Sequence, residues 1–198
     1  MFSLQDLLGQ EQGNQAVEQL SQNLGANHTA VSSAIQMALP MILSGLARKA
    51  SDPQGAENLN QAIEQDHDGS ILDNLSGYLG GGVEPQSSGQ TNGIGILGHI
   101  FGEKQTQAAQ TVSQNSGLDI GQVSQLLITL APIVMGYLGR QKQQQNLDSG
   151  GLSSWLGGQQ QQIEQAPQGG FLSGIFDRDG DGSVIDDLAS MAMNQFKK

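Results

Sequence analysis

Apolar residues recur along this chain at helical spacing, most clearly in two long segments. In the first segment the apolar positions are separated by 4, 3, 4 and 4 residues, which places them on one face of a helix. They are Val31, Ile35, Ala38, Ile42 and Leu46, and the second segment repeats the stripe as Val123, Leu127, Leu130, Val134 and Leu138. No segment shows sustained two-residue alternation, so the pattern predicts an all-α fold without a sheet.

The two stripes belong to a longer internal repeat. Residues 16–48 align with residues 108–140 at a constant shift of 92, and the alignment pairs Gly25 with Gly117. A one-residue skip extends the match upstream to the leucines of the N-terminal segment. We therefore predict a multihelical bundle made of two duplicated helical units.

Local signals set several helix limits. Ser3 and Asp6 have the spacing of a capping box that begins a short helix, and Gly9 is suited to end it. A second helix is expected from about residue 14 to residue 23, where Gly25 follows as a stop.

Each long helix contains a proline at a matched position, Pro40 in the first unit and Pro132 in the second. A proline inside a helix removes one backbone hydrogen bond, so each is expected to bend or split its helix. The matched positions indicate that this feature belongs to the fold.

Composition shifts divide the chain into five segments. They are a first helical repeat (1–82), a linker (83–93), a second helical repeat (94–158), a polar low-complexity linker (159–170), and an acidic loop with a C-terminal helix (171–198).

Charge and composition narrow the possible partners. The 198 residues carry a formal charge of −11, with 8 Lys and Arg against 19 Asp and Glu, so the basic surface that binds nucleic acid is missing. Only 14% of residues are charged, and the surface is rich in Gln, Ser and Asn, which favours self-association although the net charge opposes it. The chain has no cysteine, which excludes disulfides and thiolate catalysis.

The segment from Asp177 to Ser183 has the spacing of a calcium-binding loop. Calcium prefers six to eight oxygen ligands, and alternate carboxylates followed by a turn glycine supply several of them. The predicted ligands are Asp177, Asp179, Asp181, the Ser183 carbonyl, and Asp187 closing a loop shortened by one residue. The segment departs from an EF-hand because Leu188 stands where a bidentate glutamate is needed.

Other motifs do not assemble into an active site. Gly93 to Gly98 has the glycine spacing of a dinucleotide fingerprint, but it follows a polar linker and is interpreted as the entry to a helix. His67 lies between two aspartates before a glycine, which predicts a solvated turn or, alternatively, assistance to a weak ion site. No catalytic residue is assigned, and an enzyme with a carboxylate cleft between the repeats stays an alternative.

Residues 29–47 and 120–139 lack charges and approach the length of a membrane-spanning helix. Buried core helices are the preferred interpretation, with membrane association as an alternative. The N-terminus shows no basic region followed by an apolar stretch, so a cytoplasmic location is the default expectation, with export by another route left open.

Taken together, the Leu4 to Gly9 opening, the two proline-containing helices and the tail from Asp177 to Asp187 resemble the bacterial YidB-like family, a domain of unknown function (domain of unknown function 937). The resemblance covers nearly the whole chain. It implies a compact multihelical fold with internal duplication, and it brings no established activity.

The sequence thus favours a non-enzymatic bacterial protein that works through contact, in particular with copies of itself, and whose tail binds calcium. Sedimentation velocity that shows only monomers, with and without calcium, would count against the self-association.

We expect calcium to protect the tail from proteolysis, because coordination offsets the entropy cost of ordering the loop. Replacing Asp177 and Asp181 by Ala should abolish the protection measured by limited proteolysis with calcium and with a chelator. Protection that survives in this variant would show that the loop is not the calcium site.

Overall fold

The computed structural model describes residues 3–81 and 92–165, and within these ranges every regular element is helical, which confirms the all-α prediction. The α-helices are Leu4–Leu8 (α1), Gln10–Leu24 (α2), His28–Ala50 (α3), Pro53–Asp66 (α4), Leu75–Leu79 (α5), Gly93–Phe101 (α6), Gln105–Ser116 (α7), Ile120–Gln145 (α8) and Ser149–Gln165 (α9). Two 3-10 turns, Ser70–Leu72 and Gly102–Lys104, precede α5 and α7.

Several helix limits follow the local signals. The Ser3 side chain accepts a hydrogen bond from the Asp6 N–H, and the Asp6 carboxylate accepts one from the Ser3 N–H. The helix α1 therefore begins with the predicted capping box. Gly25 and Gly117 end α2 and α7 with φ of +58° and +81°, a conformation that glycine adopts without steric cost.

The helices of the two halves follow one order. A short helix, a medium helix, a long helix and a further medium helix occur as α1 to α4 and again as α6 to α9. A duplicated unit would give this order, and the duplication stays a prediction from the sequence.

The helix α3 is the centre of the bundle. It packs against α2, α4, α6, α7, α8 and α9, so it contacts helices of both halves. All ten residues of the two predicted apolar stripes are buried, and they belong to one hydrophobic core that draws on both halves.

Both prolines lie within continuous helices, so neither splits its helix, and the expected bend stays a prediction. Pro132 cannot donate a hydrogen bond to the carbonyl of Ile128, one turn earlier. That carbonyl is covered by the first residue of α6, because a Cβ at Gly93 would overlap the Ile128 oxygen. The glycine allows the second half to begin directly against the carbonyl that the proline leaves unpaired in its helix.

Three helix C-termini are completed by side chains from other helices. The side chain of Gln122 donates to the Leu24 carbonyl at 3.0 Å, and that of Ser153 donates to the Ala50 carbonyl at 2.6 Å. Asn23 donates to the Leu79 carbonyl at 2.6 Å. Terminal carbonyls lack partners within their own helix, so these bonds fix α2, α3 and α5 in the bundle.

Residues 159–165, the first part of the polar segment predicted over 159–170, form the last turns of α9. The buried stripe of α9 continues through the glutamine run as Leu152, Leu156, Gln160 and Ile163. Glutamine is a good helix former, and packing of this stripe against α3 and α4 extends the helix past two glycines.

Within residues 3–81 and 92–165, two helices, α3 and α8, have the length and hydropathy needed to cross a membrane. Their most apolar windows are 78% and 56% buried inside the bundle, as core helices are.

The turn after α4 packs directly on α8. Gly136 and Gly139 provide the space, because a Cβ at Gly139 would overlap the carbonyl oxygen of His67 and one at Gly136 would press on the Ile71 side chain. Small residues on α8 therefore join segments about 70 positions apart in the chain.

We expect Gly139→Ala to destabilise the protein by about 1–3 kcal/mol, because the added methyl meets backbone rather than a flexible side chain. Gly157→Ala in α9 is the matched control, since no atom lies within 4 Å of its new Cβ and alanine favours the helix. Urea unfolding followed by circular dichroism measures both variants, and equal stability would contradict the close contact.

Candidate functional site

A groove lies between the C-terminal part of α3, the helix α4 and the helix α6. Its cavity volume is about 820 Å³, within the range of about 300–1,000 Å³ typical of small-molecule sites. Its floor consists of the apolar residues Leu46, Leu59, Ile100, Phe101 and Met135, all buried. We call this cavity the α3–α4–α6 groove.

Local sequence determines where the chain turns from α3 into α4, which form two sides of the groove. The Asp52 side chain accepts from the Gly55 N–H at 2.9 Å and Pro53 is the first residue of α4, so a new helix starts directly after α3. Gly55 approaches the Lys49 carbonyl so closely that a Cβ there would overlap it. The chain thus turns sharply at one end of the groove.

The opposite wall is α6, which contacts α3 at another glycine. A Cβ on Gly45 would overlap the side chain of Ile100, so α6 crosses closely at this point. The two close approaches, at Gly45 and at Gly55, leave the groove between them.

His67 is the least expected residue of the groove. It follows the last residue of α4, lines the cavity and is only 5% exposed. Its Nδ1 is buried and has no hydrogen-bond partner within the described part of the chain. An unsatisfied buried polar atom lowers the stability of a protein by about 1–3 kcal/mol, so a hydrogen-bond partner for this nitrogen would be favourable.

The prediction that His67 lies in a solvated turn is therefore wrong. The turn after α4 packs closely on α8 because Gly136 and Gly139 have no side chain, and His67 is buried as a result. Burial lowers the pKa of His67 below its ordinary value of 6.5, and the neighbouring Asp66 and Asp68 only oppose this effect.

Cationic side chains from two elements line part of the groove. Arg48 and Lys49 come from the last turn of α3, and Lys104 comes from the 3-10 turn after α6. The exposed His99 of α6 also lines it. The acidic residue among the described lining residues is Asp52, whose carboxylate caps α4.

Ion pairs hold the turn behind His67 in place. Arg140 of α8 pairs with Asp73, and Lys142 pairs with Glu64 at 2.8 Å. The hydrogen bond and charge of Lys142 lower the pKa of Glu64. Hydrogen bonds from Ser70 lower the pKa of Asp68, so both carboxylates are charged at neutral pH.

The predicted calcium ligands Asp177, Asp179, Asp181, Ser183 and Asp187 lie outside the described residues. Among the residues that the structure describes, no group of three or more His, Asp or Glu side chains is placed to hold a metal ion. The groove is thus a second candidate site, distinct from the one that the sequence predicts.

Sequence reasoning missed the groove because its residues come from four helices, α3, α4, α6 and α8, and from the turns after α4 and α6. One local signal was available: Asp52 and Pro53 mark a helix start, and Ala56, Leu59 and Ile63 follow at helical spacing. That signal predicts α4 but gives no indication of the cavity beside it.

The polar groups of the groove differ in how they are paired. The carboxylate of Asp52 accepts from the N-terminal cap of α4, and the buried Nδ1 of His67 has no partner among the described residues. What the groove offers is an apolar surface, one unsatisfied polar atom and a cationic rim.

A family model described as a bacterial protein of unknown function (DUF937) matches residues 6–141, more than two thirds of the chain. The match includes all of the groove residues. No curated protein and no solved structure matches the chain.

We expect His67 to make folding sensitive to mild acid. Its folded pKa is below the unfolded value of 6.5, so the folded protein favours the neutral imidazole. The free energy of unfolding is therefore unaffected by protonation of His67 above pH 6.5, and it declines as the pH falls below that value because the unfolded chain takes up the proton more readily. The decline is at most about 1.4 kcal/mol per pH unit, and His67→Phe should remove it.

Urea unfolding at pH 7.5 and pH 5.5 measures this difference. Glu64 and Asp68 have lowered pKa values and contribute only in stronger acid. An equal loss of stability in wild type and His67→Phe would contradict the assignment.

Proposed function

The chain belongs to the DUF937 family of bacterial proteins of unknown function, as the sequence predicts, and from this premise we propose that it is a non-enzymatic binding protein. Its α3–α4–α6 groove receives a small molecule with an apolar body. The family carries no assigned activity, so the proposal depends on the geometry of the groove.

The observation that carries the proposal is the buried Nδ1 of His67, which lines the same cavity as the apolar floor residues. A structural histidine is normally paired with a backbone or side-chain group. Here the unpaired nitrogen belongs to a residue that lines a cavity large enough for a ligand. A polar group of the ligand, or a water molecule held with it, would satisfy this nitrogen.

The shape of the groove supports binding of a compact molecule. Its floor residues come from α3, α4, α6 and α8, which are held together by the core, so the surface is largely formed before a ligand arrives. A preformed cavity that combines apolar residues with polar groups able to orient a ligand is typical of ligand sites.

Self-association and calcium binding by the tail remain part of the proposed function. The motivation for self-association is the low charge content of the surface, to which the exposed Ile94 and Ile120 add apolar area. Membrane association is the alternative proposal, motivated by the hydropathy of α3 and α8, and their burial in the bundle weighs against it.

The neutral, apolar dye Nile red tests the groove independently of charge. We expect saturable binding with one site per chain, measured by fluorescence, and at least tenfold weaker binding by Ala62→Trp, whose indole would occupy the groove. Gln61→Trp is the matched control, because the neighbouring side chain on α4 is exposed and is not among the lining residues.

Binding that is equally strong in both variants would place the dye elsewhere and contradict the proposal. Should Ala62→Trp fail to fold by circular dichroism, Asn58→Trp at an exposed lining position replaces it.

A further inference from the structure

The distribution of charge around the groove opposes that of the chain as a whole. The chain carries a formal charge of −11, yet three of the five Lys and Arg residues that the structure describes line the groove. The other two, Arg140 and Lys142, lie on α8 and are not among the lining residues. Of the thirteen described Asp and Glu residues, one lines the groove.

Helix chemistry explains part of this pattern. Basic residues are favourable in the last turn of a helix, where the carbonyl ends carry partial negative charge, and Arg48 and Lys49 occupy the last turn of α3. Lys104 comes from a different element, the 3-10 turn after α6, and it faces the same cavity. Two elements therefore direct cations to one apolar groove.

We propose that the groove binds a soluble anionic amphiphile, a single apolar chain that ends in a carboxylate. The apolar chain lies on the floor formed by Leu46, Leu59 and Phe101, and the carboxylate lies at the rim among Lys49, Lys104 and Arg48. This inference rests on the proposed function of the groove and adds the class of ligand.

Each part of such a ligand has a physical partner. Burial of its chain against the floor supplies most of the affinity, because that surface is apolar. The cations at the rim lie near solvent, so they contribute modest affinity and select the sign of the head group. A cationic amphiphile of the same length meets the same floor and the wrong charge at the rim.

The size of the cavity favours a monomeric ligand over a membrane surface. A volume of about 820 Å³ is enough for one chain, whereas a lipid surface would need an exposed apolar face. Large apolar side chains exposed in the described part of the protein are limited to Ile94 and Ile120, and neither is among the lining residues.

Three probes with the same ten-carbon chain test the inference on the full-length protein: decanoate, decanol and decyltrimethylammonium. The two ionic probes are used below their critical micelle concentrations, and decanol is used below its solubility limit. Displacement of Nile red and isothermal titration calorimetry give the affinities. We expect decanoate to bind at least tenfold more tightly than decyltrimethylammonium, with decanol between them. Ala62→Trp should lose all three, and Gln61→Trp should retain them.

Charge variants test the rim. The double variant Lys49→Gln/Lys104→Gln should bind decanoate about tenfold more weakly, because each pair of a lysine and the carboxylate near solvent contributes a few-fold to the affinity. Its affinity for decanol should be unchanged. Lys142→Gln removes a cation outside the groove and should leave decanoate binding as in wild type. Histidine side-chain NMR of the complex should show a ligand-dependent shift of the His67 ring nitrogens.

The outcomes separate this inference from the proposed function. Equal affinity for the three probes, or preference for the cationic one, would overturn the carboxylate specificity while leaving the groove as a ligand site. Failure of Nile red and of every probe to bind would remove both. If the protein floats with phosphatidylglycerol vesicles and does not bind decanoate, the inference is overturned and the ligand is a membrane surface.

Discussion

The fold depends on the burial of α3, an almost uncharged helix that no single neighbour can cover. Fifteen of its 23 residues are buried, and six other helices pack around it. Removing this apolar surface from water is the main favourable contribution to such a bundle. Because the covering helices come from both halves, neither half presents a complete core by itself, and the chain closes around one centre.

The groove follows from the same arrangement. Where the C-terminal part of α3 emerges between α4 and α6, the covering is incomplete and leaves an apolar floor beneath a cationic rim. Glycines make the arrangement possible, since Gly45, Gly55 and Gly139 stand where a Cβ would meet a neighbouring chain segment. His67 is enclosed by this close packing, which explains both its low pKa and its unpaired nitrogen.

Side chains from distant segments complete what helices leave unfinished. Gln122 and Ser153 bind terminal carbonyls of α2 and α3, and Gly93 covers the carbonyl that Pro132 leaves without an intrahelical donor. The matched prolines therefore do not break their helices. A carbonyl without an intrahelical donor is tolerated where the tertiary structure accommodates it.

The sequence by itself determined the helical class, the two apolar stripes, the capping box of α1 and the glycines that end α2 and α7. These features depend on residues within one or two turns, which periodicity reports directly. The tertiary structure alone decided that α9 continues through the glutamine run, that His67 is buried and that Lys49 and Lys104 face one cavity. Burial depends on which distant segments come into contact. The spacing of residues within one helix does not indicate that Gly139 packs against His67, about 70 residues earlier in the chain.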